Sequence, residues 1–294
     1  MRVLITGGSG FLGQYLNIEL SKSHEIFTIY YKRKGNCEDY NSASFDLNDH
    51  KKIEEVFSSF RPDCVVHTAA ITSHEEIEDA GSKYVYATNV TATKEIAELC
   101  DKFNSRLIYT STDLAYAGYR GSMLKEESKI IPVSLYAESK LMGEVKIQEV
   151  FDNYIILRTA TLYGLALNDA LNHFNSVYNS LKNGERVQLF IDQFRTPLYV
   201  KDAARMIGEI CSKEIKGEII NFGGKERMSR SGLGERLCDA AGFDKSLIDK
   251  ITLDDKPDYP KVEDVSMNTD KLRSYGIEQM TVEESLKDIV NNFL

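Results

Sequence analysis

The sequence contains no segment that could cross a membrane as a single helix. No window of its 294 residues approaches the roughly 18 consecutive apolar residues that a membrane span needs. Positive charge is also scarce, because 36 Lys and Arg are outnumbered by 45 Asp and Glu, which gives a formal net charge of −9. We therefore expect neither a nucleic-acid surface nor a surface for anionic membranes.

Cysteine is scarce and scattered. The five cysteines include no C-x-x-C pair, so neither a disulfide framework nor a zinc site is expected, and reduced thiols are the default. The first residues run directly into glycines and lack the apolar stretch and cleavage site of a signal peptide. These features predict a cytoplasmic protein without a bound metal.

A glycine-rich turn follows the first apolar run of the chain. Val3–Thr6 reads as a buried strand, and Gly7, Gly10 and Gly13 follow it at the spacing G-x-x-G-x-x-G, before an apolar-periodic helix. Glycines are needed where the backbone turns tightly and approaches a pyrophosphate at a helix N-terminus. The turn therefore predicts a dinucleotide site, and a glycine turn without a ligand is the alternative.

The end of the second strand, Glu25–Tyr30, carries cations where an NAD enzyme usually has an acidic residue for the ribose 2′-hydroxyl. Lys32 and Arg33 would attract a 2′-phosphate, so we expect NADP(H) to be preferred, with NAD(H) as the alternative cofactor. An exposed basic loop without a ligand is the competing interpretation.

Strands and helices alternate five times in the first half of the chain. Asn48 is the expected N-cap of the helix after the third strand. Residues 75–103 are expected to be largely helical. The expected strands are Val3–Thr6, Glu25–Tyr30, Ser44–Leu47, Cys64–Ala70 and Arg106–Ser111. This alternation predicts a doubly wound parallel sheet of the Rossmann type. We expect residues 1–165 to form the dinucleotide-binding domain. Residues 166–294 should form a smaller substrate lobe that lends elements back to the sheet.

A tyrosine and a lysine four residues apart follow the fifth strand. Tyr136 and Lys140 share one helix face, and Thr112 lies at a strand end, where ligands of such sheets bind. An ammonium within roughly 4–6 Å would lower the phenol pKa from about 10. Because Tyr30/Lys34 and Tyr178/Lys182 have the same spacing, the context and not the pair singles out Tyr136. His67 is expected to be a packed strand residue and not a catalyst.

The second half is less regular. We expect a sixth strand at Tyr154–Arg158, a helix over about 169–182, a strand at Arg186–Ile191, helices from Val200 and from about Ser231, and a last helix after a Thr281/Glu284 capping box.

The chain resembles the extended short-chain dehydrogenase/reductase superfamily along nearly its whole length. The resemblance is carried by Thr6–Gly13, Asp46-Leu47, Ala69-Ala70, Asn89, Ser111-Thr112, Tyr136-x3-Lys140 and Arg158-Thr159. Within the superfamily it is most similar to the dTDP-4-dehydrorhamnose reductases and related sugar-nucleotide reductases, through Ser111–Asp113, Leu135–Glu144 and Asp192–Pro197.

The resemblance implies hydride delivery from NADPH to C4 of a nucleotide-linked 4-keto-6-deoxy sugar. Tyr136 would be the acid, Lys140 would bind the nicotinamide ribose, Thr112 would hold the substrate oxygen and Asn89 would have a supporting role. Cofactor contacts are expected at Gly7, Gly10, Phe11, Leu12, Gly13, Lys32, Arg33, Asp46, Leu47, Ala69, Ala70, Tyr136, Lys140 and Thr159.

Substrate contacts are expected at Asp113 and Arg195, because a diphosphate needs cations. An ordinary surface arginine is the alternative for Arg195, and Lys182, Arg227 and Arg230 are further candidates. Related 4,6-dehydratases have a catalytic Glu where this chain has Leu114, which favours reduction over dehydration.

Two departures leave the nucleotide and the sugar open. Leu114–Tyr116 replaces the Tyr-Val-Phe that is usual in the dehydrorhamnose reductases, and the chain has no Trp, although one is expected to contact the substrate in that group. An epimerase or another carbonyl reductase is one alternative, and a non-catalytic NADP-binding subunit, similar to the regulatory β subunit of methionine adenosyltransferase, is another. A homodimer is left open, since paired-helix dimers are common in this superfamily.

Overall fold

The computed structural model describes residues 1–116, 118–119, 121–168, 170 and 172–293. The α-helices of this part are α1 Phe11–Leu20, α2 His50–Phe60, α3 His74–Ala80, α4 Ser82–Tyr86, α5 Ala92–Phe103, α6 Leu135–Val150, α7 His173–Lys182, α8 Val200–Cys211, α9 Arg230–Ala241, α10 Asp270–Ser274 and α11 Val282–Phe293. None of these helices is long and apolar enough to span a bilayer.

The strands have the following bounds: β1 Arg2–Thr6, β2 Glu25–Tyr30, β3 Ser42–Ser44, β4 Cys64–His67, β5 Arg106–Thr112, β6 Tyr154–Thr159, β7 Leu162–Tyr163, β8 Val187–Phe190, β9 Phe194–Arg195, β10 Leu198–Tyr199, β11 Glu218–Phe222, β12 Met228–Ser229 and β13 Ile248–Ile251. In the described residues, seven of them form one parallel sheet in the order β3-β2-β1-β4-β5-β6-β11.

Helices cover both faces of this sheet because its strands are apolar on both sides. In β1, Val3 and Ile5 face a core shared with α1, α8 and α11, whereas Leu4 faces a second core shared with α2, α5 and α6. The chain therefore has the doubly wound Rossmann architecture that the alternation predicts. The carboxyl ends of β1, β4 and β5 meet at one edge of the sheet.

Two strands end earlier than the sequence indicates. The third strand was expected at Ser44–Leu47, but β3 is Ser42–Ser44, because its partner β2 ends at Tyr30 and the chain then turns away. The fourth strand was expected to reach Ala70, but β4 ends at His67, opposite the last residue of β1. Residues beyond both strand ends are thereby free to line a groove.

The N-cap of α2 is also different from the expected one. Asp49, not Asn48, caps the helix and accepts a hydrogen bond from the Lys52 amide at 3.3 Å. The Asn48 side chain instead donates to Asp46 and to Thr88, both at 2.9 Å. The prediction of Asn48 as the cap was wrong because α2 begins at His50, so the residue directly before the helix is Asp49.

The helical stretch over 75–103 is interrupted twice. Gly81, with φ 76°, separates α3 from α4, and a π-helical turn over Ala87–Thr91 joins α4 to α5. The π-turn contains Asn89, and such turns occur frequently at functional sites.

The C-terminal half returns to the sheet through β11, which pairs with β6. The capping box that starts α11 is confirmed: the Thr281 amide donates to Glu284 at 2.7 Å, and the Glu284 amide donates to Thr281 at 3.2 Å. The helix expected over 169–182 begins only at His173, with Asn172 as its cap, and positions 169 and 171 lie outside the described residues. The division at residue 165 stays a prediction.

Candidate active site

The glycine turn has the geometry that a phosphate-binding loop needs. Gly7 has φ 72°, and its carbonyl accepts a hydrogen bond from the Gly10 amide at 2.9 Å. A Cβ on Gly13 would collide with the Gly7 carbonyl and with Gly8, so the helix can lie against the turn only without a side chain there. Gly10 caps α1 without a side chain, and backbone amides at such a helix N-terminus suit an anion.

A continuous groove runs across this turn. It consists of two adjoining clefts of about 640 Å³ and about 560 Å³, which share Gly7, Gly10 and Ala70. Every residue expected to contact a cofactor lines one of them: Gly7, Gly10, Phe11, Leu12, Gly13, Lys32, Arg33, Asp46, Leu47, Ala69, Ala70, Tyr136, Lys140 and Thr159. The binding roles of these residues stay predictions, but their shared position is a property of the fold.

The larger cleft ends among basic and acidic side chains. Arg33 forms an ion pair with Glu76 at 3.5 Å, and Lys32 lies over the Tyr31 ring, 5.2 Å from its centroid. Asp46 accepts a 2.5 Å hydrogen bond from Tyr84. Glu76 and Tyr84 also line this cleft. No local sequence pattern predicts their position, because they reach the groove from helices that follow β4.

The smaller cleft contains Thr112, Tyr136 and Lys140 together. Ser134 caps α6 through a 3.2 Å hydrogen bond from the Ala137 amide, which starts the helix one turn ahead of Lys140. Thr112 is the last residue of β5, and its hydroxyl interacts with the Tyr136 phenol. The sheet end and the helix start thus bring a hydroxyl, a phenol and an amine into one space.

The pKa of Tyr136 is raised, whereas the sequence predicts that it is lowered. Although the residue as a whole is half-buried, desolvation of the hydroxyl and the nearby Asp113 raise the pKa of Tyr136 to about 12, against a lowering contribution from Thr112. Burial also lowers the pKa of Lys140 to about 7, while Glu144 acts in the raising direction. We expected Lys140 to make the Tyr136 phenol more acidic. For the protein without a bound cofactor this expectation is wrong, because desolvation is the largest effect at both Tyr136 and Lys140.

Asn89 lies behind the groove and does not line it. Its side chain accepts a hydrogen bond from the Ile71 amide at 2.8 Å and donates to the Ile71 carbonyl and to Ser139, both at 3.0 Å. It thereby ties the segment after β4 to α6, the helix that contains Tyr136 and Lys140. This position suits the expected supporting role.

Asp113, which lines the smaller cleft, forms a buried ion pair with Arg195, whose Nε lies 3.8 Å from Asp113 Oδ2. Burial raises the pKa of Asp113 and lowers that of Arg195, and each group opposes the shift of the other. Oδ2 of Asp113 is buried without a hydrogen-bond partner. An acceptor in this state can take a donor from a ligand.

Arg195 also lines a small, mostly apolar cavity of about 70 Å³ between α7 and α9, together with Arg230 and His173. The other two candidate cations are engaged elsewhere: Arg227 pairs with Asp264 at 2.7 Å, and Lys182 lies 5.8 Å from the Tyr178 ring centroid on α7. The structure therefore brings Arg230, and not Arg227 or Lys182, to the cavity of Arg195.

His67 is a packed strand residue, as expected. It is fully buried, with its ring nitrogens 2.6 Å from the Thr6 hydroxyl and 2.9 Å from the Thr93 hydroxyl. Burial and the neighbouring Lys140 lower the pKa of His67 to about 3. A neutral, enclosed imidazole does not serve as an acid or base for a ligand.

The parallel sheet, the glycine turn and the Tyr-x3-Lys pair at a strand-end threonine define the NAD(P)-dependent oxidoreductases of the extended short-chain dehydrogenase/reductase type. A family model described as "RmlD substrate binding domain" matches residues 1–294, and the chain belongs to that family. Both conclusions confirm the resemblance found in the sequence.

Similar proteins include reductases and a subunit of methionine adenosyltransferase 2. The dTDP-4-dehydrorhamnose reductase of Aggregatibacter actinomycetemcomitans is 27% identical, with 98% of each chain covered. Methionine adenosyltransferase 2 subunit beta of Xenopus tropicalis is also 27% identical, over 95% of this chain and 84% of that one. The crystal structure of the dTDP-4-dehydrorhamnose reductase of Bacillus anthracis in complex with NADP superposes with a TM-score of 0.82 at 24% identity, covering 98% of both chains. This last likeness shows a shared fold.

Proposed function

We propose that the protein is an NADP(H)-dependent reductase of a nucleotide-linked 4-keto-6-deoxy sugar. The observation that carries the proposal is the convergence of Thr112, Tyr136 and Lys140 at one end of a groove that crosses the glycine turn. The dTDP-4-dehydrorhamnose reductases among its relatives support the substrate class.

Each of the three side chains has a role that its position supports. A nicotinamide cofactor, when bound, supplies the hydride. The Thr112 hydroxyl holds the carbonyl oxygen of the sugar beside the Tyr136 hydroxyl, which donates its proton as the alcohol forms. Lys140, charged at or below its pKa of about 7, binds the nicotinamide ribose and adds positive charge near the phenol. Positioned acid catalysis of this kind contributes about 10²–10⁴ in rate.

The residues of the groove fit a phosphorylated dinucleotide. The glycine turn and the N-terminus of α1 suit a pyrophosphate, and the small Ala69 and Ala70 leave space at the end of β4. Lys32 and Arg33 supply positive charge where a 2′-phosphate would lie. NADP(H) is the preferred cofactor on this argument.

The substrate side supports a sugar with a diphosphate. Asp113 offers an unused acceptor for a sugar hydroxyl, and Arg195 and Arg230 supply positive charge at the adjoining cavity. Leu114 occupies the place where the dehydratases have a catalytic Glu, and its apolar side chain cannot act as a base for elimination. Reduction therefore accounts for the site better than dehydration does.

Oxidation of NADPH by the purified protein against a panel of nucleotide-linked 4-keto sugars tests the proposal. We expect stoichiometric loss of absorbance at the wavelength of NADPH with at least one dTDP-linked 4-keto-6-deoxy sugar. Arg195→Met should raise KM by about tenfold or more, the cost of losing a charge-assisted contact, with kcat less affected. Arg227→Met is the matched control, because Arg227 is engaged with Asp264. Product formation without net NADPH consumption would identify an epimerase instead.

A cofactor-binding subunit without catalysis is the second candidate, supported by the match to methionine adenosyltransferase 2 subunit beta. In that case the protein binds NADPH but oxidises it with no member of the panel, and Tyr136→Phe changes neither binding nor any activity. The presence of Thr112, Tyr136 and Lys140 in one cleft favours the reductase.

A further inference from the structure

A buried ion pair lies directly behind the candidate active site. Glu144 on α6 and Arg158 on β6 have side chains that are 1% and 2% exposed, and the guanidinium holds the carboxylate through contacts of 2.8–3.3 Å. Glu144 follows Lys140 by one helical turn. Neither Glu144 nor Arg158 lines the groove, so contact with a cofactor or substrate does not explain the pair.

Three residues in the segments next to the candidate site hydrogen-bond to the ion pair: Ser111, Tyr116 and Glu126. Ser111, which precedes Thr112 on β5, donates to Glu144 at 2.5 Å. Arg158 donates to the Tyr116 hydroxyl at 3.1 Å and to the Glu126 carbonyl at 2.9 Å. The carboxylate thus fixes the end of β5 relative to α6, and the guanidinium continues the network toward the segment after β5.

Burying two charges is costly, and ion pairs of this kind are often no more stabilising than apolar side chains of the same size. Stability alone therefore gives no reason for a carboxylate at position 144. A reason appears at Lys140: among the described residues, Glu144, one turn along the same helix, is the carboxylate that acts on its buried ammonium. The ammonium nitrogen also lies 4.1 Å from the centroid of the Tyr109 ring on β5, and it acts on His67 on β4. Tyr136 lines the same cleft as Lys140.

We propose that the Glu144–Arg158 pair is a positioning device for the candidate site, in which Glu144 favours the charged form of Lys140 and Arg158 holds Glu144 in place. The proposal deepens the proposed function and rests on it for its catalytic consequence. Burial lowers the pKa of Lys140 to about 7 even with Glu144 present, and a neutral amine would lose its electrostatic effect on the phenol. Without Glu144, Lys140 would lose its proton at a still lower pH.

The state of Lys140 can be measured without cofactor or substrate. In protein labelled with ¹³Cε-lysine, the Lys140 signal is assigned by its loss in Lys140→Arg, and its pKa is read from a pH titration. Glu144→Gln should lower the pKa of Lys140 by about one unit, because an opposite charge one turn away is removed and Arg158 is left uncompensated. Glu144→Asp keeps the charge and should leave this pKa close to that of the wild type.

Two further variants keep the test decisive. Glu149→Gln makes the same change on the exposed face of α6, where Glu149 pairs with Lys146, and should leave the Lys140 titration unchanged. Glu144→Gln/Arg158→Met removes both charges, avoids a lone buried cation and decides the test if Glu144→Gln does not fold. In this double variant, the pKa of Lys140 should lie between its value in Glu144→Gln and its value in the wild type. A Lys140 titration equal to that of the wild type in folded Glu144→Gln and in Glu144→Gln/Arg158→Met would overturn the proposal. So would a shift in Glu149→Gln as large as that in Glu144→Gln.

The catalytic consequence is read from the pH profile. In Glu144→Gln the alkaline limb of kcat/KM should move to lower pH by the same shift as the Lys140 titration. If the Lys140 titration shifts in Glu144→Gln but the alkaline limb of kcat/KM does not, the catalytic role of the pair is overturned. If the wild type reduces no keto sugar, the proposed function fails, and the titration still decides whether Glu144 favours the charged form of Lys140.

Discussion

The guanidinium of Arg33 lies 3.5 Å from the carboxylate of Glu76, and both side chains line the groove that crosses the glycine turn. Arg33 leaves the end of β2 and Glu76 belongs to α3, so the ion pair joins two elements across the groove. The residue that would attract a 2′-phosphate is thus partly neutralised by a carboxylate in the same cleft. Both members of the pair are therefore expected to set the affinity for a phosphorylated dinucleotide.

Reversing the charge of Arg33 should discriminate between the two cofactors. In Arg33→Glu we expect the Kd of NADPH to rise about tenfold or more, since a charge-assisted phosphate contact is lost, with the Kd of NADH changed much less. Isothermal titration with each dinucleotide measures both constants. Lys34→Glu is the matched control, because Lys34 pairs with Glu38 and does not line the groove. Equal losses for both cofactors would contradict the preference for NADP(H).

Removing the charge of Glu76 should have the opposite effect. Glu76→Gln releases Arg33 from its ion pair, which is largely exposed and therefore weak, so the Kd of NADPH should fall by up to about fivefold. The gain should shrink at high ionic strength, where exposed charges are screened. Glu75→Gln, one residue earlier on α3, serves as the control for the loss of a negative charge. A Kd for NADPH that is unchanged in Glu76→Gln at low salt would count against the neutralisation.

Replacing the phenol should separate catalysis from binding. Tyr136→Phe should lower kcat by about 10²–10⁴, because the proton donor is lost, while the Kd of NADPH stays close to the wild-type value. Steady-state kinetics and a binding titration check the two halves. Tyr178→Phe is the control with the same Tyr-x3-Lys spacing, since its buried hydroxyl has no hydrogen-bond partner in the described residues. Undiminished turnover in Tyr136→Phe would refute the assignment of the acid.

Buried His67 should make the protein sensitive to acid. Its pKa is about 3 in the folded protein and about 6.5 when unfolded, so between these values the unfolded chain binds the extra proton. Folded-state stability should therefore fall as the pH drops from 6.5 toward 3, by at most about 1.4 kcal/mol per unit from this residue. The free energy of unfolding of His67→Gln, from urea titrations at several pH values, should depend less steeply on pH in this window.

The control for His67→Gln is the same substitution at another histidine. His24→Gln, in the turn between α1 and β2, makes the same substitution outside the core of the sheet. Parallel pH dependence of the wild type and His67→Gln across the window would show that another group governs the acid sensitivity.

Local sequence patterns account for the parts of the site that lie on one element or one turn. Gly7, Gly10 and Gly13 predict the turn because their spacing is read within seven residues, and Tyr136 and Lys140 predict a shared face because helical periodicity is local. The strand ends were predicted less well, since β3 and β4 end where their partners β2 and β1 end. Strand length in a sheet depends on neighbours that are distant in sequence.

By itself, the sequence determined the doubly wound fold, the glycine turn and the residues expected to contact a cofactor, all of which line the groove. Tertiary structure alone decided that Glu76 faces Arg33, that Arg158 holds Glu144 behind Lys140, and that the pKa of Tyr136 is raised and not lowered. The physical reason is that periodicity and turn chemistry act between near neighbours in the chain. Burial and ion pairing depend on which distant segments the fold brings together.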